Sequence, residues 1–180
     1  EDGLISTKTG LVTPEIINSV HWHEKEWRGQ EPDQAKFTDI VDWPQPGGFG
    51  GVPGETDEFE FKPINTVVNA FHYRALVLME KIASVLDKTK DAEFFDKRAA
   101  LVKNSFNKKL LDSSTGIYVD GEGSSHSSLH ANMFPLAFDM VPEENIDKVV
   151  QFIKSRGMAC SPRGAQHLLE ALYNAGEEDY

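Results

Sequence analysis

PINTVVNAFHYRALVLMEKIASVLDK, residues 63 to 88, decides how this chain is to be read. Apolar side chains stand at 64, 67, 68, 71, 75, 78, 82, 85 and 86, a 3.6-residue period held for about six turns. Such a stretch is a helix, and too much of its circumference is apolar for it to lie alone on a surface. Its neighbours follow the same grammar. DAEFFDKRAALVKNSFNKKLL (91–111) is a second helix, with lysines on an open face. DSSTGIYVDGEG (112–123) reads as turn, short strand and turn. HSSLHANMFPLAFDM (126–140) is a third helical segment, bent by Pro135. PEENIDKVVQFIKSRG is a fourth, opened by Pro142 and closed by Gly157. SPRGAQHLLEALYNAG is a fifth, with Ser161 as N-cap, Pro162 at the first helical position and Gly176 as a stop. The spans expected are 64–88, 91–111, 128–140, 143–156 and 161–175.

The odd-numbered helices are apolar nearly all round, and the even-numbered ones keep a charged face. That alternation implies two concentric layers, with the first, third and fifth helices inside and short links making antiparallel pairs. Each inner helix is also polar at its start: Asn65, Asn69 and His72; Ser127, Ser128, His130 and Asn132; Arg163, Gln166 and His167. Polar starts on three neighbouring helices describe a pocket mouth with a floor of side chains below it. Capping alone gives the same polarity, because the first amides of any helix need acceptors.

Residues 1–63 are irregular and read as part of the same domain, ahead of the toroid segment 64–180. TPEIINSVHWHEKEW and QAKFTDIVDW can be short helices there, anchored by Trp22, Trp27 and Phe37. DWPQPGGFGGVPGETDEFEF (42–61) is a loop, since its Gly and Pro content forbids helix and central strand. If the layers are as described, it shares a rim with 120–127. Asp42, Trp43, Glu55, Asp57, Glu58, Glu60, Asp120, Glu122 and His126 then gather at one mouth. Paired carboxylates roughly 5–9.5 Å apart are what glycoside hydrolysis requires. A tryptophan beside them offers a sugar an apolar face; alternatively, Trp43 plugs back between helices.

With 18 basic and 29 acidic residues, a formal net charge of -11, the chain is a poor match for nucleic acid or anionic membrane. No run approaches a membrane span, and EDGLISTKTG does not read as a signal peptide. The compartment stays open between periplasm, exterior and cytoplasm. The lone Cys160 reads as a buried filler. His21 and His23, or His126 and His130, invite a metal, but neither pair has a third ligand in sequence, and HSSLH lacks the Glu of HExxH. GEGSSHS has no P-loop Lys, GGFGG lacks a dinucleotide-binding context, and no G-x-S-x-G occurs. No metal and no cofactor is expected.

The phrases PINTVVNAFHYRAL, GIYVDGEGSSHSSLHANMFPLAFDMVPEE and FIKSRGMACSPRGAQHLLEALYNAGEEDY resemble the catalytic domain of bacterial alpha-L-rhamnosidases of glycoside hydrolase family 78, over roughly residues 36–180. The resemblance implies an all-α, partial (α/α)6 toroid of the six-hairpin glycosidase type. It also implies an inverting hydrolysis of terminal alpha-L-rhamnosyl linkages in a rhamnose-containing glycoside. Asp42-Trp43-Pro44 resembles the loop that walls the family's sugar pocket. The substrate-binding candidates are therefore Asp42, Trp43, His126, His130 and Asn132, with Glu55, Asp57, Glu122, Asn65 and Asn69 behind them. The family's general-acid phrase lies upstream of the DWP loop and its general base downstream of the last helix here, so neither phrase is in this chain. The expectation is a piece of a larger catalytic domain, contributing pocket wall and needing the remainder of that domain as partner. A non-catalytic carbohydrate-binding or scaffold module is the alternative.

Overall fold

The computed structural model describes residues 2–8, 39–42 and 57–180. Five α-helices and no multi-residue strand are found among them: α1 (Thr66–Val85), α2 (Thr89–Leu110), α3 (Leu129–Ala137), α4 (Ile146–Arg156) and α5 (Pro162–Asn174). A 3-10 turn, Glu143–Asn145, leads into α4. The short strand expected near 117–120 is reduced to isolated bridges, Leu111 with Tyr118 and Asn65 with Gly121. Residues 39–42 are not helical, so no helix extends through 34–43. The helix expected over 13–27 lies outside the described residues, as do Trp22, Trp27 and Phe37.

Caps set the starts of the inner helices. Asn65 accepts the amide of Val68, Ser128 that of Ala131, and Ser161 those of Arg163 and Gly164, each satisfying donors that a helix N-terminus leaves orphaned. Asp87, at φ 55°, turns α1 back into α2, while Gly157 and Gly176 take positive φ after α4 and α5. α3 is shorter than expected. Pro135 removes an amide inside it, and the chain leaves the helix after Ala137, with Asp139 at φ 58°.

Of the three helices expected inside, only α3 is covered all round; α1 and α5 pack against it and keep an exposed face. α3 is buried along all nine residues and packs against α1, α4 and α5, while α2 packs on α1. The core joins Val67 and Ala70 of α1, Phe106 and Leu110 of α2, Met133 and Phe134 of α3, Val149 and Ile153 of α4, and Leu168 and Leu172 of α5. Residues 2–8 run along α1 as an extended strap. The Asn69 amide clamps Ile5, accepting its N–H at 2.8 Å and donating to its carbonyl at 3.0 Å.

Candidate functional site

Three buried carboxylates gather the starts of α1, α3 and α5 into one rim. Asp120, with no exposed surface, accepts the amide of Ser128 at 2.9 Å and that of Glu60 at 2.8 Å. Its own carbonyl receives the Thr66 amide at 3.0 Å, tying α1 to α3. Asp57 accepts the first amide of α3, Leu129, at 2.6 Å and forms a fork with the Arg156 guanidinium. Asp57 and Glu58 are both left-handed, at φ 46° and 54°. Asp42 joins α3 to α5: one oxygen accepts the Ser161 amide at 2.8 Å and lies 2.8 Å from His130 Nε2, and the other accepts the Ser161 hydroxyl. Carboxylates on helix N-termini are favoured both by the unpaired amides and by the helix dipole.

Side chains fill the space between the inner helices. Phe71 of α1 meets Phe134 of α3 and Phe138, the C-cap of that helix, at ring-centroid distances of 4.8 and 5.1 Å. His167 of α5 sits among them, 5.1 Å from Phe134 and 5.5 Å from Phe138. The Arg74 guanidinium caps the Phe138 ring at 5.6 Å. His167, expected at the polar mouth, lies instead within this aromatic floor.

The predicted site residues divide sharply. Trp43 and Glu55 lie outside the described residues. Asp42 and His130 are brought together, but inside the protein and bonded to one another. Asn132 is fully buried: it accepts the Tyr118 amide at 2.9 Å and donates to the carbonyls of Tyr118 and Ser128 at 3.0 and 2.9 Å. Asn65 caps α1, Asn69 clamps the strap, and Asp57 is committed to Arg156 and Leu129. Glu122 is exposed and pairs with Lys109 at 3.1 Å, which also holds Asp2. His126 is partly exposed, with Nδ1 2.6 Å from Asp120 Oδ2. His126 and His130 do not converge, because each ring turns to a different aspartate. Among the described residues no group of three or more His, Cys, Asp or Glu is placed to hold a metal.

Sequence reasoning passed over two acids. Asp120 was grouped with the rim acids but not singled out, although its position six residues before His126 permitted a turn-closing contact. Asp39 carries no signal in sequence; burial raises its carboxyl above the usual range, with the neighbouring Asn65 side chain partly offsetting this. Cys160, beside Asp42, has its thiol pushed up to about 11, first by burial and then by the aspartate's charge. No described helix is long and apolar enough to cross a membrane.

Paired inner and outer helices, a polar rim at the inner N-termini and a side-chain floor define the class: an α/α-toroid glycosidase-type domain. Residues 14–180 match the bacterial alpha-L-rhamnosidase 6 hairpin glycosidase domain, and the chain belongs to that family. Among solved structures it is similar to the native alfa-L-rhamnosidase from Aspergillus terreus, at a TM-score of 0.57 and 18% identity. That alignment covers 83% of this chain and 16% of the fungal one, and the likeness is one of fold. No curated protein sequence matches the chain.

Proposed function

We propose that these 180 residues form one sector of an inverting glycoside hydrolase acting on terminal alpha-L-rhamnosyl linkages. In this reading the sector supplies pocket wall, and the general acid and general base come from the remainder of the catalytic domain. The rim carries the proposal: three inner-helix starts meet there, and each buried acid is already committed. Asp42, Asp57 and Asp120 spend their oxygens on amides, Ser161, Arg156 and the two histidines. Carboxylates so engaged are poorly suited to protonating a leaving group or activating water. They suit holding a wall still. Asp42 then contributes by fixing the backbone that leads into Trp43, whose ring supplies the apolar face for the sugar; His130 holds Asp42, and Asn132 braces the start of α3.

The test uses an aryl alpha-L-rhamnoside and free rhamnose. The complete enzyme should hydrolyse the glycoside, whereas the 180-residue chain alone should not. Trp43→Ala in the complete enzyme should weaken rhamnose binding by about tenfold, the loss of roughly 1.4 kcal/mol of contact. Robust turnover by the short chain would show that its own acids form a working pair. Unchanged affinity in Trp43→Ala, with a large loss of stability, would make the tryptophan a plug. A complete protein that neither binds rhamnose nor cleaves the glycoside would be the scaffold module instead.

A further inference from the structure

Two of the candidate rings keep an unpaired nitrogen, His130 Nδ1, which is buried, and His126 Nε2, whose side chain is partly exposed and open to a ligand. Asp42, His130 and Asn132 are buried. His126 is different: its side chain is 31% exposed, Nδ1 lies 2.6 Å from Asp120 Oδ2, and Nε2 has no partner among the described residues. The backbone beneath it is braced. Its amide donates to the Ser124 hydroxyl at 3.0 Å and its carbonyl accepts the Asp120 amide at 2.9 Å.

We propose that Asp120 and His126 are a hydroxyl-reading pair, in which the buried carboxylate positions the ring and Nε2 accepts a hydrogen bond from a hydroxyl of a neutral monosaccharide. This rests on the reading of the rim as a sugar site. The Asp120 carboxylate already accepts the amides of Ser128 and Glu60. Both of its oxygens thus accept backbone N–H groups, and Nδ1–H is assigned as the donor across the 2.6 Å contact. In the neutral ring Nε2 is then a lone-pair acceptor, fixed in direction by a partner that cannot move. Its surroundings select the ligand. Glu60, 2.6 Å from the Ser124 hydroxyl, is held below the usual carboxyl range by Ser124 and then by Lys62, so it is ionised beside the histidine. Glu122 adds a second exposed carboxylate on the same turn. Each carboxylate carries a lysine partner, Lys62 at 3.2 Å and Lys109 at 3.1 Å, so the turn has no unpaired cation to draw an anion, whereas a hydroxyl donor finds acceptors. Asp120 is a positioning residue; His126 is the contact.

Two readouts on the complete enzyme, labelled with 15N-histidine, separate this pair from a structural brace. The His126 signals are assigned by their loss in His126→Ala. They should show the Nδ1–H form, with the Nε2 resonance moving on addition of rhamnose. His126→Ala should weaken rhamnose binding about tenfold when measured well below its melting transition, which falls as Asp120 loses a partner, and His126→Gln should recover part of the lost affinity. Asp120→Asn should mix the two ring forms. If that variant does not fold, His126→Ala still decides. An Nε2–H ring, or His126→Ala with wild-type affinity, overturns the pair. If Trp43→Ala is still weakened in that case, the sugar site stands without His126. Absence of any rhamnose-dependent change in the unmodified enzyme overturns both readings together.

Discussion

A carboxylate taken out of water costs several kcal/mol unless its oxygens are satisfied, so where Asp42 ends up says what it is for. It is 5% exposed and bonded to Ser161 and His130. In sequence it stood out because it precedes a tryptophan. Nothing local announced its partners, which lie 88 and 119 residues further along. Long-range pairing of this kind has no periodic signature, whereas Asp120, six residues from His126, was within reach of a local argument. Cys160 reports on the Asp42 anchor. With its thiol pushed up to about 11, only about one in a thousand is ionised at pH 8, and the residue is buried besides. Thiol labelling with a disulfide reagent should be slow. Asp42→Ala removes both the cover and the neighbouring charge, so labelling should accelerate at least tenfold and urea stability should fall by about 3 kcal/mol. An unchanged labelling rate and midpoint would mean that Asp42 anchors nothing.

At the scale of elements, α1 and α3 repeat a device that their sequences do not visibly share. Each has a capping side chain, Asn65 or Ser128, followed four residues later by an asparagine that returns a hydrogen bond to the cap carbonyl. Each asparagine then grips the N–H and carbonyl of a passing residue, Ile5 or Tyr118. Helix spans and layers were readable because periodicity and capping are local. These grips were not, since a buried asparagine in sequence looks the same as one reaching for a sugar. α5 departs from the pattern: its cap Ser161 also donates to Asp42. Ser161→Ala should therefore cost more than Ser128→Ala, which loses one cap worth about 1 kcal/mol. A double-mutant cycle with Asp42→Ala should show the excess as coupling. Gly164 sharpens the point. Alanine is the better helix former by about 1 kcal/mol. Its Cβ, however, would meet Asp42 Oδ2 and Cys160 Cβ, each at 2.9 Å. Gly164→Ala should destabilise by about 1–3 kcal/mol in a denaturant melt, the cost of overpacking; a stabilised variant would show that Asp42 is not held against α5.

Across the whole molecule, the stripe that announced the first helix is largely not the one that is buried. Phe71, Leu78, Ile82, Val85 and Leu86 lie on the periodic apolar face of 63–88, yet all are exposed, Val85 by 83%. α1 instead turns Val67, Ala70, Leu76 and Ala83 inward. α5 shows the same condition at the other flank of α3, with Leu169 at 65% and Tyr173 at 72%. Both α1 and α5, which pack against the fully buried α3, therefore keep uncovered apolar side chains. Each large side chain left in water forgoes about 1.5–3 kcal/mol of burial free energy, and exposed patches of this kind promote association. The periodicity marks an apolar face that the five described helices leave uncovered. A paired substitution, Leu78→Glu with Ile82→Glu, separates a flank built for other hairpins from one that merely tolerates water. In the 180-residue chain it should change the urea midpoint by no more than about 0.5 kcal/mol, as an exposed substitution does, while reducing self-association in sedimentation. In the complete enzyme it should cost several kcal/mol and abolish rhamnoside hydrolysis, because two charges would be forced into an apolar seam. Equal and small effects in both proteins would leave the α1 flank as solvent-facing surface and would remove the argument that the ring closes there.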